Sequence, residues 1–290
     1  MKNETGHNNE GHGTLYVVST PIGNLEDITL RALRILEAVD MIAAENVTHT
    51  RGLCEHYSIG TRLTRYHQHN QRSKTRELLR ELRSGKDVAL VTDAGTPGIS
   101  DPGVFLIGRA AREEINVVPI PGASAVIAAL SVSGLATERF VFLGFLSNKP
   151  GKRKNELKKF ISEPRTMVFF EAPHRIKAML MDVKEILGNR EMVMVREMTK
   201  IFEEIKRGPV SAILDHLSRD RIRGEFTLVV AGSEEAKTDD PDMQVVKRIE
   251  RMLAENMGVK DIACALSSEK GLSYRRIYKE CLARKKALRA

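Results

Sequence analysis

The feature that most limits what this chain can fold into is an alternation. Short runs of β-branched and apolar residues each pass through a Gly- or Pro-rich turn into an amphipathic helical run. TLYVVS (14–19) turns into ITLRALRILEAV (28–39), where Ile28, Leu30, Leu33, Ile35, Leu36 and Val39 fall largely on one helical face. MIAA (41–44), a helix near 49–57, a short strand near 61–65 and the charged helix SKTRELLRELRS (73–84) follow. DVALVTD (87–93), NVVPI (116–120) and FVFLGF (140–145) read as further strands, separated by helices near 103–114 and 123–133. Strand and helix in turn imply βαβ units and a mainly parallel sheet, because parallel strands need a crossover that a helix supplies.

At SNKPGKRKN (147–155) Pro, Gly and basic residues replace apolar periodicity, which predicts an internal boundary. TMVFFEA (166–172), a helix from His174 to Leu187, MVMVRE (192–197), FEEIKRG (202–208), the helix VSAILDHL (210–217) and EFTLVVAG (225–232) predict a second α/β layer. SEEAKTDDPD (233–242) is acidic and poor in apolar residues, as a linker is. The expected organisation is therefore a loose leader at 1–13, an α/β domain at 14–146, a second at 147–232, the acidic linker at 233–242 and an all-helical segment at 243–290.

Charge separates these parts. Lys and Arg number 46 against 38 Asp and Glu, and residues 243–290 alone hold 12 basic and 5 acidic residues, so the body is nearly neutral. An anionic partner engaged from one end of the chain fits that asymmetry. The tail's short helix, Ser/Gly turn and basic helix LSYRRIYKECLARKK (272–286) have a helix-turn-helix-like outline; a helical hairpin with solvated charges has the same sequence signature. Cys54, Cys264 and Cys281 are odd in number and widely spaced, which supports neither a disulfide framework nor a zinc knuckle and fits a reducing cytoplasm. The weakly polar stretch from Ala125 to Ala136 is too short to span a bilayer, and residues 1–13 lack the apolar region of a signal peptide.

Ligands of an open parallel sheet collect where strands end, so the loops leaving strands are the places to look. TPIGN (20–24), DAGTPGISDPG (93–103) and PGAS (121–124) stand out. The middle one packs Gly, Pro and two carboxylates between a strand and a helix, more than a plain connection requires. No GxxxxGK[ST] or GxGxxG occurs and none of the three loops contains Lys, which disfavours a polyphosphate cradle and suits a neutral or zwitterionic cofactor. His67 and His69 lack a completing acid or Cys, so no metal site is expected. Glu171-Ala172-Pro173-His174-Arg175 is a strand-to-helix junction whose ionisable groups either cap the helix or line a cleft.

TLYVVSTPIGNLEDITLRAL, VTDAGTPGISDPG, PGAS, FFEAPHRI, REMTKIFEE and GEFTLVVAG occur in this order between residues 14 and 232. Together they closely resemble the small-subunit rRNA methyltransferase I family, the 16S rRNA cytidine-2′-O-methyltransferases of the tetrapyrrole-methylase (class III) superfamily. The resemblance implies two α/β domains with S-adenosylmethionine in the cleft between them, a 16S rRNA or 30S-subunit substrate, a cytoplasmic homodimer and a basic helical tail. It further implies that Pro21, Ala94, Gly95, Thr96, Ile99, Ser124, Ala125, Glu171 and Met198 surround the cofactor.

The family typically reads Ala-Glu-Asp-Thr-Arg-His-Thr where this chain has Ala44-Glu45-Asn46-Val47-Thr48-His49-Thr50. Transfer of a methyl group to a ribose hydroxyl needs an in-line arrangement and a proton acceptor, and Glu45 and Glu171 are the expected catalytic groups. Residues 62–83 carry seven Arg or Lys against two Glu, and 149–159 carry six against one. Phosphate contacts are accordingly expected from Arg72, Lys74, Arg153, Lys154, Arg175, Arg275 and Arg276. Two other functions share some of these features. A tetrapyrrole C-methyltransferase has the same cleft but gives no reason for the basic tail, and a non-catalytic RNA-binding relative would follow from the change at Asn46.

Overall fold

The computed structural model describes residues 11–219, 222–233, 243–255, 257–270 and 273–287. Most of the expected leader and the linker residues 234–242 lie outside the described residues. The chain separates into two compact units, residues 1–233 and 234–290.

In the first unit the elements run β1 (Leu15–Val18), α1 (Leu30–Ala38), β2 (Met41–Ala44), α2 (Val47–His56), β3 (Leu63–Arg65), α3 (Gln71–Arg83), β4 (Val88–Val91), α4 (Val104–Arg112), β5 (Val117–Ile120) and α5 (Ala125–Ser133). The strands form one parallel sheet in the order β3-β2-β4-β1-β5. Every residue of β2 and β4 is buried, as expected of strands covered on both faces. Leu78, Leu79 and Leu82 of α3 with Leu106 and Ala110 of α4 pack on one face. Ala32 and Leu36 of α1 and Cys54 of α2 pack on the other. The predicted parallel α/β layer is thus present, and its strands leave their loops along a single edge.

The chain continues through β6 (Phe140–Phe145), α6 (Pro150–Lys158), β7 (Thr166–Glu171), α7 (Ile176–Leu187), β8 (Glu191–Arg196), β9 (Glu204–Pro209), α8 (Val210–Arg219) and β10 (Phe226–Val230). These strands make a second sheet in the order β6-β7-β10-β8-β9, where only the β6–β7 pair is parallel. Three sequence expectations change here. FVFLGF belongs to the second sheet, so a boundary at residue 147 would cut that sheet's first strand away from it. The second sheet is mostly antiparallel, because no helix separates β8 from β9 and a short connection can only return a strand antiparallel.

The stretch read as a boundary is the helix α6, with Pro150 at its start and no helical N–H for the ring to remove. Its Leu157 is fully buried among Met167, Phe169, Leu180 and Leu228, which is worth ~1.5–3 kcal/mol and holds down an otherwise polar helix. Arg153, on the same side of α6, is only 4% exposed, and its Nε donates to Asp182 Oδ2 of α7 at 2.7 Å. That corrects its expected role, since a guanidinium sealed inside and neutralised by a carboxylate reaches no phosphate. On the opposite face of this sheet, Val126, Ala129 and Leu130 of α5 pack against Val168, Val193, Val195 and Val229.

The second unit contains α9 (Met243–Ala254), α10 (Val259–Lys270) and α11 (Tyr274–Ala287). Val245, Ile249, Ile262, Ala263, Leu266, Ile277 and Cys281 form a core of its own. No helix among the described residues is long and apolar enough to cross a membrane.

Candidate active site

The loops singled out in the sequence are tied to one another. Thr20 and Gly95 exchange backbone hydrogen bonds of 2.9 and 3.1 Å, and the Ser19 and Thr96 hydroxyls lie 2.8 Å apart. Gly95 holds φ 74°, a left-handed value at which a side chain would be strained. Gly122 in the third loop lies so close to Ser19 that an added Cβ would stand 2.9 Å from its Cβ. Ser124 then caps α5 by accepting from the Ile127 N–H. Across from these, residues 197–203 join β8 to β9 with Glu197 and Thr199 both at positive φ. The Asn24 N–H donates to Thr199 Oγ1 at 3.0 Å, joining the loop after β1 to the second sheet.

Between the two sets of loops lies a cavity of ≈ 560 Å³, within the range of small-molecule sites. Its walls carry five carboxylates, Glu45, Asp93, Asp101, Glu171 and Glu225, and among the described residues no Lys or Arg. Burial raises the Glu45 carboxyl above its ordinary value, with the Asp93 charge adding to it, and the Asp93 N–H approaches Glu45 Oε2 at 3.5 Å. Asp101 is pushed up to about 6 by burial and then by the charges of Glu45 and Asp93. One oxygen of Asp93, Oδ1, is buried without a hydrogen-bond partner. Glu171 is also raised by burial, but its side chain is fully enclosed, accepting from the Ala172 N–H at 2.8 Å and standing 3.0 Å from Arg175 Nε.

Of the residues expected around a cofactor, Ala94, Gly95, Thr96, Ile99, Ser124, Ala125, Glu171 and Met198 line the cavity, as does Glu45. Pro21 does not; it is buried and its neighbour Ile22 reaches the cavity instead. Sequence reasoning passed over Asp93 and Asp101 as individual site residues, although two carboxylates in so short a loop were the available signal. It also passed over Phe145 and Phe170, whose rings lie 5.6 Å apart at the cavity wall. Asn46 has a clear local role as the N-cap of α2, its Oδ1 accepting from the N–H groups of Thr48 at 3.0 Å and His49 at 3.4 Å. The departure from the family pattern thus preserves the cap and leaves Glu45 facing the cavity.

The basic residues divide. Arg72 and Arg275 are exposed, whereas Lys74 pairs with Glu77 at 2.6 Å and Lys154 with Glu185 at 2.7 Å. Arg175 turns inward, its Nη2 donating to the Leu146 carbonyl at 2.6 Å and to Glu171 Oε2 at 3.3 Å. Arg276 is half-buried and its Nη2 has no partner. The His69 N–H donates to His67 Nδ1, and no group of three or more potential ligands is placed to hold a metal ion among the described residues.

Comparison with known proteins shows the family. The sequence profile of the tetrapyrrole (corrin/porphyrin) methylases matches residues 14–214. The chain belongs to the tetrapyrrole methylase family. Methylases of this family use S-adenosylmethionine, and this chain is such a methyltransferase. It is 43% identical over 268 residues to ribosomal RNA small subunit methyltransferase I of Synechocystis sp., covering 92% of this chain and 96% of the relative. To the protein of the same name from Bacillus subtilis it is 40% identical over 271 residues, covering 92% and 93%. Among solved structures, a cobalt precorrin-4 methyltransferase of cobalamin biosynthesis superposes with a TM-score of 0.58 at 19% identity, covering 78% of this chain and 98% of that one. A uroporphyrin-III C-methyltransferase from Thermus thermophilus, complexed with S-adenosylhomocysteine, superposes with a TM-score of 0.55 at 21% identity, covering 76% and 97%. These tetrapyrrole methylases share the fold without requiring the same substrate.

Proposed function

We propose that this methyltransferase transfers the methyl group of S-adenosylmethionine to the 2′-hydroxyl of a cytidine in 16S rRNA, in the cytoplasm and as a homodimer. The observation that carries the cofactor part is the cavity lining: five carboxylates and, among the described residues, no Lys or Arg suit a sulfonium and an amino group and repel polyphosphates. The residues present fit such a group. Gly95, Ala94 and Ala125 keep the wall open for a flat ring, and Ile99, Val126, Val195 and Met198 give it an apolar surround. Bound there, the cofactor supplies an electrophilic methyl on sulfur.

The chain's own residues do the rest. Glu45 faces the cavity with one oxygen near the Asp93 N–H, and we assign it the proton of the ribose hydroxyl. Glu171, enclosed and held by Arg175, is a positioning group for the β7–α7 junction more than a proton acceptor. The same lining that admits a cation excludes phosphate, so the target nucleoside must enter with its backbone left outside; Arg72, Arg76 and Arg80, at four-residue spacing on the exposed side of α3, are basic groups free to meet that backbone. In the helical unit Arg275 and Lys279 are exposed on α11 beside the stacked rings of Tyr274 and Tyr278, 6.0 Å apart. Basic groups beside aromatic faces suit single-stranded RNA. The relatives named above as rRNA methyltransferases support this substrate over a tetrapyrrole.

The test is transfer itself. Protein, labelled S-adenosylmethionine and 30S subunits lacking the modification are incubated and the label is mapped; label on one cytidine ribose is expected. Cofactor binding without any transfer to rRNA would instead favour a non-catalytic RNA-binding role.

A further inference from the structure

The basic surface of the first sheet has a floor and a direction. α3 and α4 each follow a strand of one parallel sheet, so they run the same way on the same face, starting from the edge where the cavity opens. Thr75, Leu78, Leu79 and Leu82 of α3 and Leu106 and Ala110 of α4 are buried beneath them. Helical spacing decides what lines the groove above that layer. Phe105, Arg109 and Glu113 stand four residues apart and make one row along α4, with Arg109 Nη2 meeting Glu113 Oε1 at 3.2 Å. Arg83 of α3 pairs with the same Glu113, so that row faces α3. Arg76 lies two turns before Arg83 and Arg72 one turn earlier, on the same flank, whereas Glu81 on the other flank pairs with Lys86. Counting back from the Arg83–Glu113 pair along two helices of equal rise brings Arg76 about level with Phe105 and Leu106.

The cleft end of this groove is apolar. Val104 is 66% and Phe105 40% exposed, and Ile99, exposed beside them in sequence, lines the cavity itself. From α3 the groove receives guanidiniums. Arg72, Arg76 and Arg80 are exposed, and among the described residues the side chains of Arg72 and Arg76 make no ion pair or hydrogen bond.

We propose that the groove between α3 and α4 is the track for one flank of the rRNA: the strand leaves the cavity mouth across Phe105, with a base stacked on that ring, and its phosphates meet Arg72, Arg76 and Arg80 in turn. This rests on the proposed rRNA reading and adds to it the surface and the path. The three arginines advance about 6 Å at each step along α3, a pitch comparable with that of successive phosphates on one strand. Each guanidinium can give a phosphate two donors. The five carboxylates bar phosphate from the cavity, and the arginines begin where it opens, so the backbone turns outward onto them. Phe105 offers an aromatic face at that point, and stacking on aromatic side chains beside basic groups is how unpaired strands are held. A second copy of this chain is the poorer occupant, because a two-fold contact through this groove would set arginines against arginines.

The full-length protein is compared with Arg72→Gln/Arg76→Gln, with Phe105→Ala and, as a control of equal charge, with Arg62→Gln/Arg65→Gln on the edge strand β3, where both arginines are exposed. The probe is the shortest 16S rRNA fragment that the unaltered protein binds, used whole and shortened from its 5′ or its 3′ side. Binding is titrated against salt, with cofactor affinity, sedimentation and single-turnover methylation measured alongside. Arg72→Gln/Arg76→Gln should weaken binding and lower the slope of log affinity against log salt by about 1.4, the share of two single-strand phosphates. Phe105→Ala should weaken binding by about fivefold to a hundredfold, the range of one stacked base, at an unchanged slope. Both losses should vanish on the fragment shortened from one side and persist on the fragment shortened from the other, with cofactor affinity constant throughout. An equal loss in Arg62→Gln/Arg65→Gln overturns the proposal, since net charge then suffices. So does an unchanged slope in Arg72→Gln/Arg76→Gln, or a loss that ignores which side is shortened. A change of oligomeric state in Arg72→Gln/Arg76→Gln also overturns it and gives the groove to a second copy. Absence of binding to any 16S rRNA fragment overturns both the track and the rRNA reading. A track mapped in this way without methylation of 16S rRNA or 30S subunits leaves the groove standing and overturns the methylation reading alone.

Discussion

Arg153 and Asp182 form a buried ion pair, two guanidinium nitrogens reaching Oδ2 at 2.7 and 2.6 Å with both side chains less than a tenth exposed. Removing one partner strands the other charge. Asp182→Ala should lose ~3–5 kcal/mol of stability, measured by urea denaturation of the body's transition. Arg153→Met together with Asp182→Leu should lose much less. Neither change should alter the salt dependence of RNA binding, because Arg153 meets no solvent.

Glu45→Gln should reduce the single-turnover methylation rate by ~10²–10⁴-fold, the usual contribution of a positioned base, with cofactor affinity little changed. Because burial raises the Glu45 carboxyl, the unaltered rate should fall as pH drops through that raised value and the base becomes protonated. Isothermal titration with the cofactor and rapid quench with RNA measure the two quantities separately. A Gln variant with the full rate removes Glu45 from the proton's path.

Asp101 gives a stability signature independent of RNA. Its carboxyl rises from an ordinary ~3.9 to about 6 in the folded protein. Between those values the folded state binds more protons than the unfolded state, so stability falls as pH rises through the window and is flat above it. Asp101→Asn should therefore raise stability at pH 7 by roughly 1–2 kcal/mol, after discounting for the half of the group that water screens. Thermal denaturation at pH 4.5 and pH 7 should show the larger gain at pH 7, since pH 4.5 lies near the foot of that window.

Asn46→Ala should cost ~1 kcal/mol through loss of the α2 cap, whereas Asn46→Asp should leave both stability and methylation close to their original values. A large gain of activity in Asn46→Asp would show that the acid at this position does more than cap.

Arg275→Ala with Lys279→Ala should weaken RNA binding and lower the slope of log affinity against log salt by about 0.7 for each phosphate that is no longer neutralised, with cofactor binding unaffected. An unchanged slope would assign these charges to solvent.

The first sheet was legible because each of its strands precedes a helix with apolar residues at helical spacing, as in residues 28–39, and the period alone identifies both. The second sheet was less so. MVMVRE and FEEIKRG have no helix between them, and taking the earlier alternation as continuing hid a hairpin. α6 was hidden because its seal is made by Leu157 and a paired Arg153; a charged residue gives no apolar period when its partner is 29 positions away. In the site, loops dense in Gly and Pro marked the wall from the first sheet. Asp101 and Phe145 were not legible because a bulge at Gly144 and the turn at Ser100 bring them to one cavity, and neither register shift nor backbone turn is visible in residue spacing.

The interleaving of β6 and α5 with the second sheet also constrains how such a protein can arise and be divided. A chain stopped at residue 146 would carry a six-residue strand with no sheet to join, and one begun after α5 would uncover Val168, Val193, Val195 and Val229. Neither half is a heritable part. Recombination can add or remove the helical unit beyond residue 233, which has its own core, but the cofactor cleft must be inherited, folded and lost as one piece.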